Sequence, residues 1–341
     1  MPDVSVILVN YKTPALTGTA IGSVRETNPE LDLQFIVVDN DSGDDSEALI
    51  RGAHPDVVWH QMGYNSGFGR ANNAGMRLAQ GRYFLLLNAD TLQTGPVLTE
   101  CVRRMEREPE IVASAPVQLY PDGSPMPYYT SFADIRRTFY ILPLRPFFQK
   151  ILEKAIPVTR YADPRQHDWL VGAFLLVRRE AALQTGGFDE HLFMYGEDIE
   201  WCWRLGKLGK LCYFTDLGFL HLENPSAFRR DNPSYVNRFS VQMQVSNLYW
   251  LRKQYGVRAV VSVLLNYALL VPVFFGWKIA LNLLKGRPPM AEMRNQRIFA
   301  RKTRALFRYF WPIVLRQNRF FKIKPEDNVD AFVASGLRPS A

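Results

Sequence analysis

The chain has 341 residues, 47% of them hydrophobic, enough to bury an α/β core of roughly 200 residues or more with an appendage. Its net charge of +8 is unevenly placed: residues 285–341 hold 13 Lys/Arg against 4 Asp/Glu, so the first 284 residues are nearly neutral and the basicity belongs to the tail. Three cysteines, Cys101, Cys202 and Cys212, form neither a Cys-x-x-Cys pair nor an even-numbered framework, which argues against a disulfide scaffold and fits a reducing cytosol.

Val4 to Asn10 is a β-branched apolar run that reads as a strand, and Thr13-Pro14 opens a helix through Val24. Gln34 to Asn40 repeats the pattern, with the polar turn Asp41–Ser46 leading into a helix at Glu47 to Arg51. A third short strand, Val57 to His60, precedes the segment from Gly63 to Gly75. The run Tyr83 to Leu87 then reads as a strand buried on both faces, ending in Asn88-Ala89-Asp90. Strands alternating with helices imply a mostly parallel sheet whose ligand crevice lies at the strand carboxyl ends, where Asp39, Gly67 and Asp90 fall. A lone carboxylate there can hold a metal ion against a diphosphate. A second acidic site follows at Gly196-Glu197-Asp198, where a loop leads into a helical segment from Ile199 to Leu205. Either acid alone would read as a turn or helix-cap residue; their order behind the first strands is what raises them to a site.

Six segments in order resemble the inverting family 2 glycosyltransferases of GT-A fold, in particular the rhamnosyltransferase-like bacterial branch that builds cell-surface polysaccharides. They are Val6 to Tyr11, Val37 to Ser42, Asn65-Ser66-Gly67-Phe68-Gly69 with Asn72-Asn73, Leu86 to Asp90, Gly186 to Glu190, and Gly196-Glu197-Asp198. The resemblance covers about residues 3–225. It implies a Rossmann-like mixed, mostly parallel sheet flanked by helices. It also implies that Asp39 accepts from the nucleotide base, that Asn10 and Asn65 line the nucleoside pocket, and that Asp198 is the catalytic base. Asp90 would bind Mg²⁺ or Mn²⁺, with His221 as a further ligand, and Gly67 and Asn88 would sit on the donor side. On sequence alone His221 reads equally well as a core histidine bonded to backbone.

One departure concerns the metal motif, often acidic at both ends, which here begins with Asn88. A single carboxylate leaves the ion to be completed by diphosphate oxygens, water and His221, so affinity without donor is expected to be weak. Gly67-Phe68-Gly69 can let a diphosphate approach backbone N–H groups or simply make a tight turn. It lacks the third glycine of a dinucleotide fingerprint, which disfavours nicotinamide cofactors. Trp169, Trp201 and Trp203 either stack on a sugar or fill the core. Trp169 and Glu197 are expected on the acceptor side.

The expected chemistry is displacement at the anomeric carbon of a nucleotide sugar, best guess dTDP-rhamnose, onto a lipid-linked saccharide. The alternatives are another nucleotide sugar, such as a UDP-hexose or UDP-galactofuranose, and a noncatalytic module that binds nucleotide sugar or polyanion. The expected domains are a catalytic domain over 1–225, with an acceptor-facing insertion at 120–168, a helical connector at 226–256, membrane-associating helices at 257–324 and a tail at 325–341. The insertion carries Tyr128-Tyr129, Arg136-Arg137 and Phe147-Phe148, suited to a lipid-linked diphosphate. Residues 259–277 are uncharged and long enough to span a bilayer, but one span would put the basic tail on the far side from cytosolic nucleotide sugars. Two short helices in the inner leaflet, interrupted at Pro272, are therefore expected, with a buried core hairpin as the alternative. Arg294, Arg297, Arg301, Arg304 and Arg308 recur at steps of three and four, a stripe read as meeting anionic lipid rather than nucleic acid. No secretory leader is expected ahead of Val4, and the expected location is the cytoplasmic face of the bacterial inner membrane, peripheral or monotopic.

Overall fold

A computed structural model describes residues 1–129, 131–142, 145–222 and 240–328. The first part of the expected connector, up to residue 239, and the tail beyond residue 328 lie outside the described residues. The chain divides into two compact units. The first comprises Met1–Asp134, Val158–Phe193 and Glu197–Asn224; the second comprises Ile135–Pro157, Met194–Gly196 and Pro225–Ala341.

The first unit begins with β1 (Val4–Asn10), α1 (Pro14–Thr27), β2 (Leu33–Asp39), α2 (Ser46–Ala53), β3 (Val58–Gln61), α3 (Phe68–Leu78) and β4 (Tyr83–Asn88). β5 (Thr91–Leu92), α4 (Val97–Arg107) and β6 (Ile111–Leu119) follow; of the next two helices in the chain, α5 (Phe132–Thr138) and α6 (Arg145–Ala155), everything from Ile135 on belongs to the second unit. β7 (Phe174–Arg178), α7 (Arg179–Thr185), α8 (Glu197–Leu205) and β8 (Lys210–His221) complete the first unit. Among the described residues the sheet has eight strands in the order β3-β2-β1-β4-β7-β6-β8-β5. β3, β2, β1 and β4 run parallel to one another, whereas β7 pairs antiparallel with both β4 and β6. The sheet is thus mixed, with its parallel half built from the alternating strands and helices of the first 90 residues.

Strand alternation assigns two cores. Val4, Val6 and Leu8 of β1 point with Phe35 and Val37 toward Ile21, Val24, Leu98 and Met105 of α1 and α4. Ile7, Ile36, Val38 and Leu86 point the other way, toward Ala71, Ala74, Trp201 and Leu205 of α3 and α8. Burial on both faces explains why these strands read as continuous apolar runs rather than alternating ones. α3 lies so close to β1 that a Cβ on Gly75 would meet Ile7 Cγ2 at 2.4 Å.

In the second unit, α9 (Val241–Tyr255), α10 (Val257–Leu284), α11 (Arg294–Arg308) and α12 (Phe310–Val314) form a helical bundle. α10 is one helix of 28 residues with Pro272 inside it, not the two short helices expected. Packing on α9 and α11 holds it together across the proline: Tyr267 and Phe274 both set their rings against Phe299, and Tyr267 Oη donates to Phe139 O at 2.7 Å. Its Val260, Val263, Leu264, Tyr267 and Leu270 are buried, while Leu265, Leu269, Val273 and Trp277 form an exposed apolar row at steps of four. The uncharged stretch therefore has one buried edge and one exposed apolar row.

Two arginines of the expected insertion have structural partners in this unit. Arg137 donates to the carbonyls of Ile156 and Glu153 at the end of α6, and Arg136 lies 3.7 Å from the Tyr255 ring centre. Arg308 of the stripe is ion-paired with Asp327, which is buried and also accepts from Tyr309 Oη at 3.1 Å.

Candidate active site

The parallel pairing brings Asn10, Asp39 and Gln61 side by side at the carboxyl ends of β1, β2 and β3. Asp39 Oδ1 accepts from Asn10 Nδ2 at 2.8 Å and Ser42 Oγ at 2.5 Å. Its Oδ2 accepts from Ser42 N at 2.9 Å and Gln61 Nε2 at 2.8 Å. Burial alone would raise the pKa of this carboxyl, but the donors from Ser42, Gln61 and Asn10 outweigh it and hold the group below its ordinary value. Asn10 is itself fixed, its Oδ1 accepting from Thr17 Oγ1 at 3.0 Å. Asn65 joins the same end through Asn40, whose Nδ2 donates to Asn65 Oδ1 at 3.3 Å and whose Oδ1 accepts from Ser66 N and Oγ, both at 2.8 Å. The adjoining turns place Lys12 at φ 59° and Asp41 at φ 71°, the left-handed conformations that cluster at binding loops.

Gly67 caps α3 with φ 80° and ψ −178°, backbone open essentially to glycine alone. A Cβ there would stand 2.0 Å from the carbonyl oxygen of Phe193, which accepts from Phe68 N at 3.0 Å. The group that comes close to this glycine is the Phe193 backbone, a role separate from the two read from the sequence.

Asp90 lies in the turn between β4 and β5, beyond Asn88. β5 pairs with the end of β8 so that Thr91 faces His221, and Leu222 N donates to Asp90 O at 2.8 Å. His221 Nδ1 lies 2.8 Å from Gln118 Oε1, and Nε2 lies 3.1 Å from Asp90 Oδ1. An amide oxygen only accepts, so Nδ1 carries a hydrogen and Nε2 is the ring nitrogen turned to Asp90. Asp90 Oδ1 and His221 Nε2, an oxygen and a nitrogen side by side, are the two atoms here that would hold a divalent ion. Among the described residues no group of three or more His, Cys, Asp or Glu could hold a metal, so remaining positions would fall to diphosphate oxygens and water.

The second acidic site opens α8. Tyr195 and Gly196, at φ 68° and 76°, turn the chain into Glu197 and Asp198. Asp198 Oδ1 accepts from Ile199 N at 2.8 Å and Oδ2 from Gly172 N at 3.2 Å. Trp169 Nε1 has no hydrogen-bond partner, yet lies near enough to Asp198 to favour its charged form. Glu197 is buried with Oε2 unpartnered. Burial, reinforced by the Asp198 charge, pushes its carboxyl up to about 8, and burial also raises Asp198. The backbone N–H groups of Ile199 and Gly172 oppose the rise at Asp198. Glu200 is bound to Arg204 at 2.6 Å, and Trp201 is core, donating to Thr185 Oγ1 at 2.8 Å. Trp203 carries Lys207 Nζ 3.7 Å from its ring centre. Tyr129 lies 6.5 Å from Trp169 between ring centres, and Tyr128 stacks on Tyr213 at 4.4 Å.

Sequence reasoning named every carboxylate of the site but not Gln61, Gln118 or Gly172. Gln61 sits one residue past the expected end of the third strand, and Gln118 is marked only by being polar near the end of an apolar strand. Gly172 acts through a backbone N–H, which has no sequence signature.

Residues 5–164 match the family model described as glycosyl transferase family 2. The chain is 30% identical over 202 residues to N-acetylglucosaminyl-diphospho-decaprenol L-rhamnosyltransferase of Mycobacterium tuberculosis, the match covering 54% of this chain and 65% of that protein. It is 29% identical over 177 residues to the rhamnosyltransferase WbbL of Escherichia coli, covering 48% of this chain and 65% of the relative. The chain thus spans just under two thirds of the length of each. In fold it is similar to the mannosyltransferase PcManGT of Pyrobaculum calidifontis, solved with GDP-mannose and Mn²⁺, with a TM-score of 0.51 at 16% identity over 90% of this chain and 87% of that one.

Proposed function

We propose that this chain is a family 2 glycosyltransferase that transfers L-rhamnose from dTDP-rhamnose to a lipid-linked saccharide with inversion at the anomeric carbon, a reading supported by the family match over residues 5–164 and by the GT-A-like fold. The observation that carries the reading is the Asp90–His221 pair at one end of the sheet, together with Asp198 held by Gly172 N. The similarity to two rhamnosyltransferases supports the choice of sugar, and one of those relatives is named for a diphospho-decaprenol acceptor.

In this reading Asn10, Asp39 and Asn65 hold the nucleoside, with Gly67 and Asn88 beside the diphosphate. Asp90 and His221 hold Mg²⁺ or Mn²⁺, which when bound neutralises the charge that develops on the departing nucleoside diphosphate. Asp198 removes the proton as the acceptor oxygen bonds to the anomeric carbon from the face opposite the leaving group. The bond from that carbon to the diphosphate breaks, and its electron pair leaves with the nucleotide. Trp169 and protonated Glu197 line the acceptor side; Glu197 cannot compete as base while it keeps its proton.

The proposed place of action is the cytoplasmic face of the inner membrane, with residues 257–324 on the lipid. The exposed row Leu265, Leu269, Val273 and Trp277 supplies apolar burial, and the exposed arginines of α11 face anionic headgroups. A panel of nucleotide sugars, tested with Mn²⁺ and a prenyl-diphosphate-linked N-acetylglucosamine acceptor, checks the reading. Metal-dependent release of dTDP with formation of a rhamnosylated lipid is expected. Release of no nucleoside diphosphate from any donor would overturn it.

A further inference from the structure

We propose that Gln61 reads the nucleobase of the donor: its amide fills the Asp39 lone pair on which a ring N–H of the base docks, and the arriving base displaces it. The inference rests on the nucleotide-sugar reading above and adds to it the residue that selects the base.

A carboxylate offers about four lone-pair positions, and Asp39 has all four occupied. Asn10 Nδ2 and Ser42 Oγ take Oδ1; Ser42 N and Gln61 Nε2 take Oδ2. A base that bonds to Asp39 must therefore displace one of these donors. Asn10 is fully buried and anchored by Thr17, and Ser42 is buried, with its hydroxyl also accepting from Lys12 N at 2.9 Å. Moving either would strand polar groups in the interior. Gln61 differs: it is exposed, stands on the last residue of β3, and β3 is the edge strand of the sheet. Its amide can turn away and remain hydrated, so it is the exchangeable donor of the four.

The vacated position sets the chemistry of the ligand. One lone pair takes one N–H, which matches the single imide N–H of uracil or thymine. Guanine presents two adjacent donors and needs two acceptor positions. A displaced Gln61 Nε2 stays within reach of the neighbourhood it left, and an imide N–H is flanked by carbonyls that can accept it. The favoured donor is thus a uridine or thymidine diphosphate sugar, bound by an exchange in which Gln61 gives up Asp39 and takes a base carbonyl.

Calorimetric titration of the full chain with dTDP, UDP, CDP and GDP in the presence of Mn²⁺ tests the proposal, on the parent, Gln61→Ala and Gln61→Glu. The parent should favour dTDP and UDP. Gln61→Ala should weaken those two about five- to tenfold and leave CDP and GDP nearly unchanged, so that the preference shrinks. Gln61→Glu has the same reach but no N–H and a second negative charge beside Asp39, and should weaken dTDP and UDP further. Gln61→Ala should melt close to the parent, since the side chain is exposed and water can take its place on Asp39, whereas Gln61→Glu sets a second carboxylate against Asp39 and should melt lower. An equal change for all four nucleotides, or no change in either variant, would overturn the role of Gln61. Failure of the parent to bind any nucleoside diphosphate would instead count against the nucleotide-sugar reading itself.

Discussion

Gly67 and Phe193 are in backbone contact so close that the glycine hydrogen occupies the only space available, a Cβ being 2.0 Å from the Phe193 carbonyl oxygen. The contact ties the start of α3 to Phe193, in the loop that precedes the Glu197–Asp198 pair. Gly67→Ala adds this overlap to a left-handed backbone that costs roughly 1–3 kcal/mol for a non-glycine residue. The variant should lose about 3 kcal/mol or more, which for a domain of this size lowers the melting temperature by about 6–12 °C. Calorimetry checks the stability, and nucleotide titration should show affinity falling with it. An unchanged melting curve would mean that the loops are not packed as described.

Much of this site was legible in the sequence because its acids stand at strand ends, where an apolar run stops abruptly. Asp39 and Asp90 carry that mark, and the structure puts them at or just past the ends of β2 and β4; Asp198 was marked instead by the glycine-ended loop before a helix and lies in the first turn of α8. Pairings made across the chain had no such mark. Gln118 reaches His221 from 103 residues away, and Gly172 reaches Asp198 through backbone. The continuity of α10 was missed because a proline read locally ends a helix, whereas the Phe299 packing that keeps this one intact comes from α11. Arg308 looked like one more surface charge for a similar reason: its partner Asp327 arrives from a later segment.

The base assignment predicts a separation of binding from chemistry. Asp198→Asn preserves shape while removing proton affinity, so sugar transfer should fall by about 10² or more with little change in donor affinity. Single-turnover kinetics, with nucleotide titration alongside, measure the two effects independently. Parent-like turnover would assign the proton to another group.

Glu197 predicts a stability trend with pH. Its carboxyl is raised to about 8 when folded from an ordinary 4.5, so between those values the native chain holds more protons than the unfolded one. Stability contributed by this group is therefore present at the acid end of the window and lost as pH rises through it. Glu197→Gln cannot ionise. Its melting temperature should decline less than the parent's from pH 5 to pH 8, and it should be the more stable protein at pH 8. Parallel curves for the two proteins would place the proton elsewhere.

The metal reading makes a prediction at a residue that does not touch the ion. Gln118 Oε1 holds His221 Nδ1–H and so aims Nε2 at Asp90. Partners of this kind typically change metal affinity 10- to 100-fold when removed. Gln118→Ala should thus weaken Mn²⁺ binding in the presence of nucleoside diphosphate by about tenfold, and Asp90→Ala more. Electron paramagnetic resonance of free Mn²⁺ gives both values. Identical affinities in parent and Gln118→Ala would separate His221 from the metal.

The basic stripe can be tested apart from the donor site, provided Arg308 is left alone. Its guanidinium pairs with buried Asp327, and removing it would strand that carboxylate in the interior and destabilise the fold. Arg294, Arg297, Arg301 and Arg304 are exposed, and each is worth about 1 kcal/mol against an anionic surface at low salt. Replacing these four with Gln should cut partitioning onto phosphatidylserine vesicles by about 10² or more, while binding to neutral vesicles and to dTDP stays as in the parent. The effect should fade as salt shortens the range of the attraction. Trp277→Ser should weaken attachment to both kinds of vesicle, because it removes apolar burial rather than charge. If the four-arginine variant partitions as the parent does at low salt, the stripe is not a lipid contact. If the parent ignores vesicles and binds polyanions such as nucleic acid instead, the stripe serves a different partner.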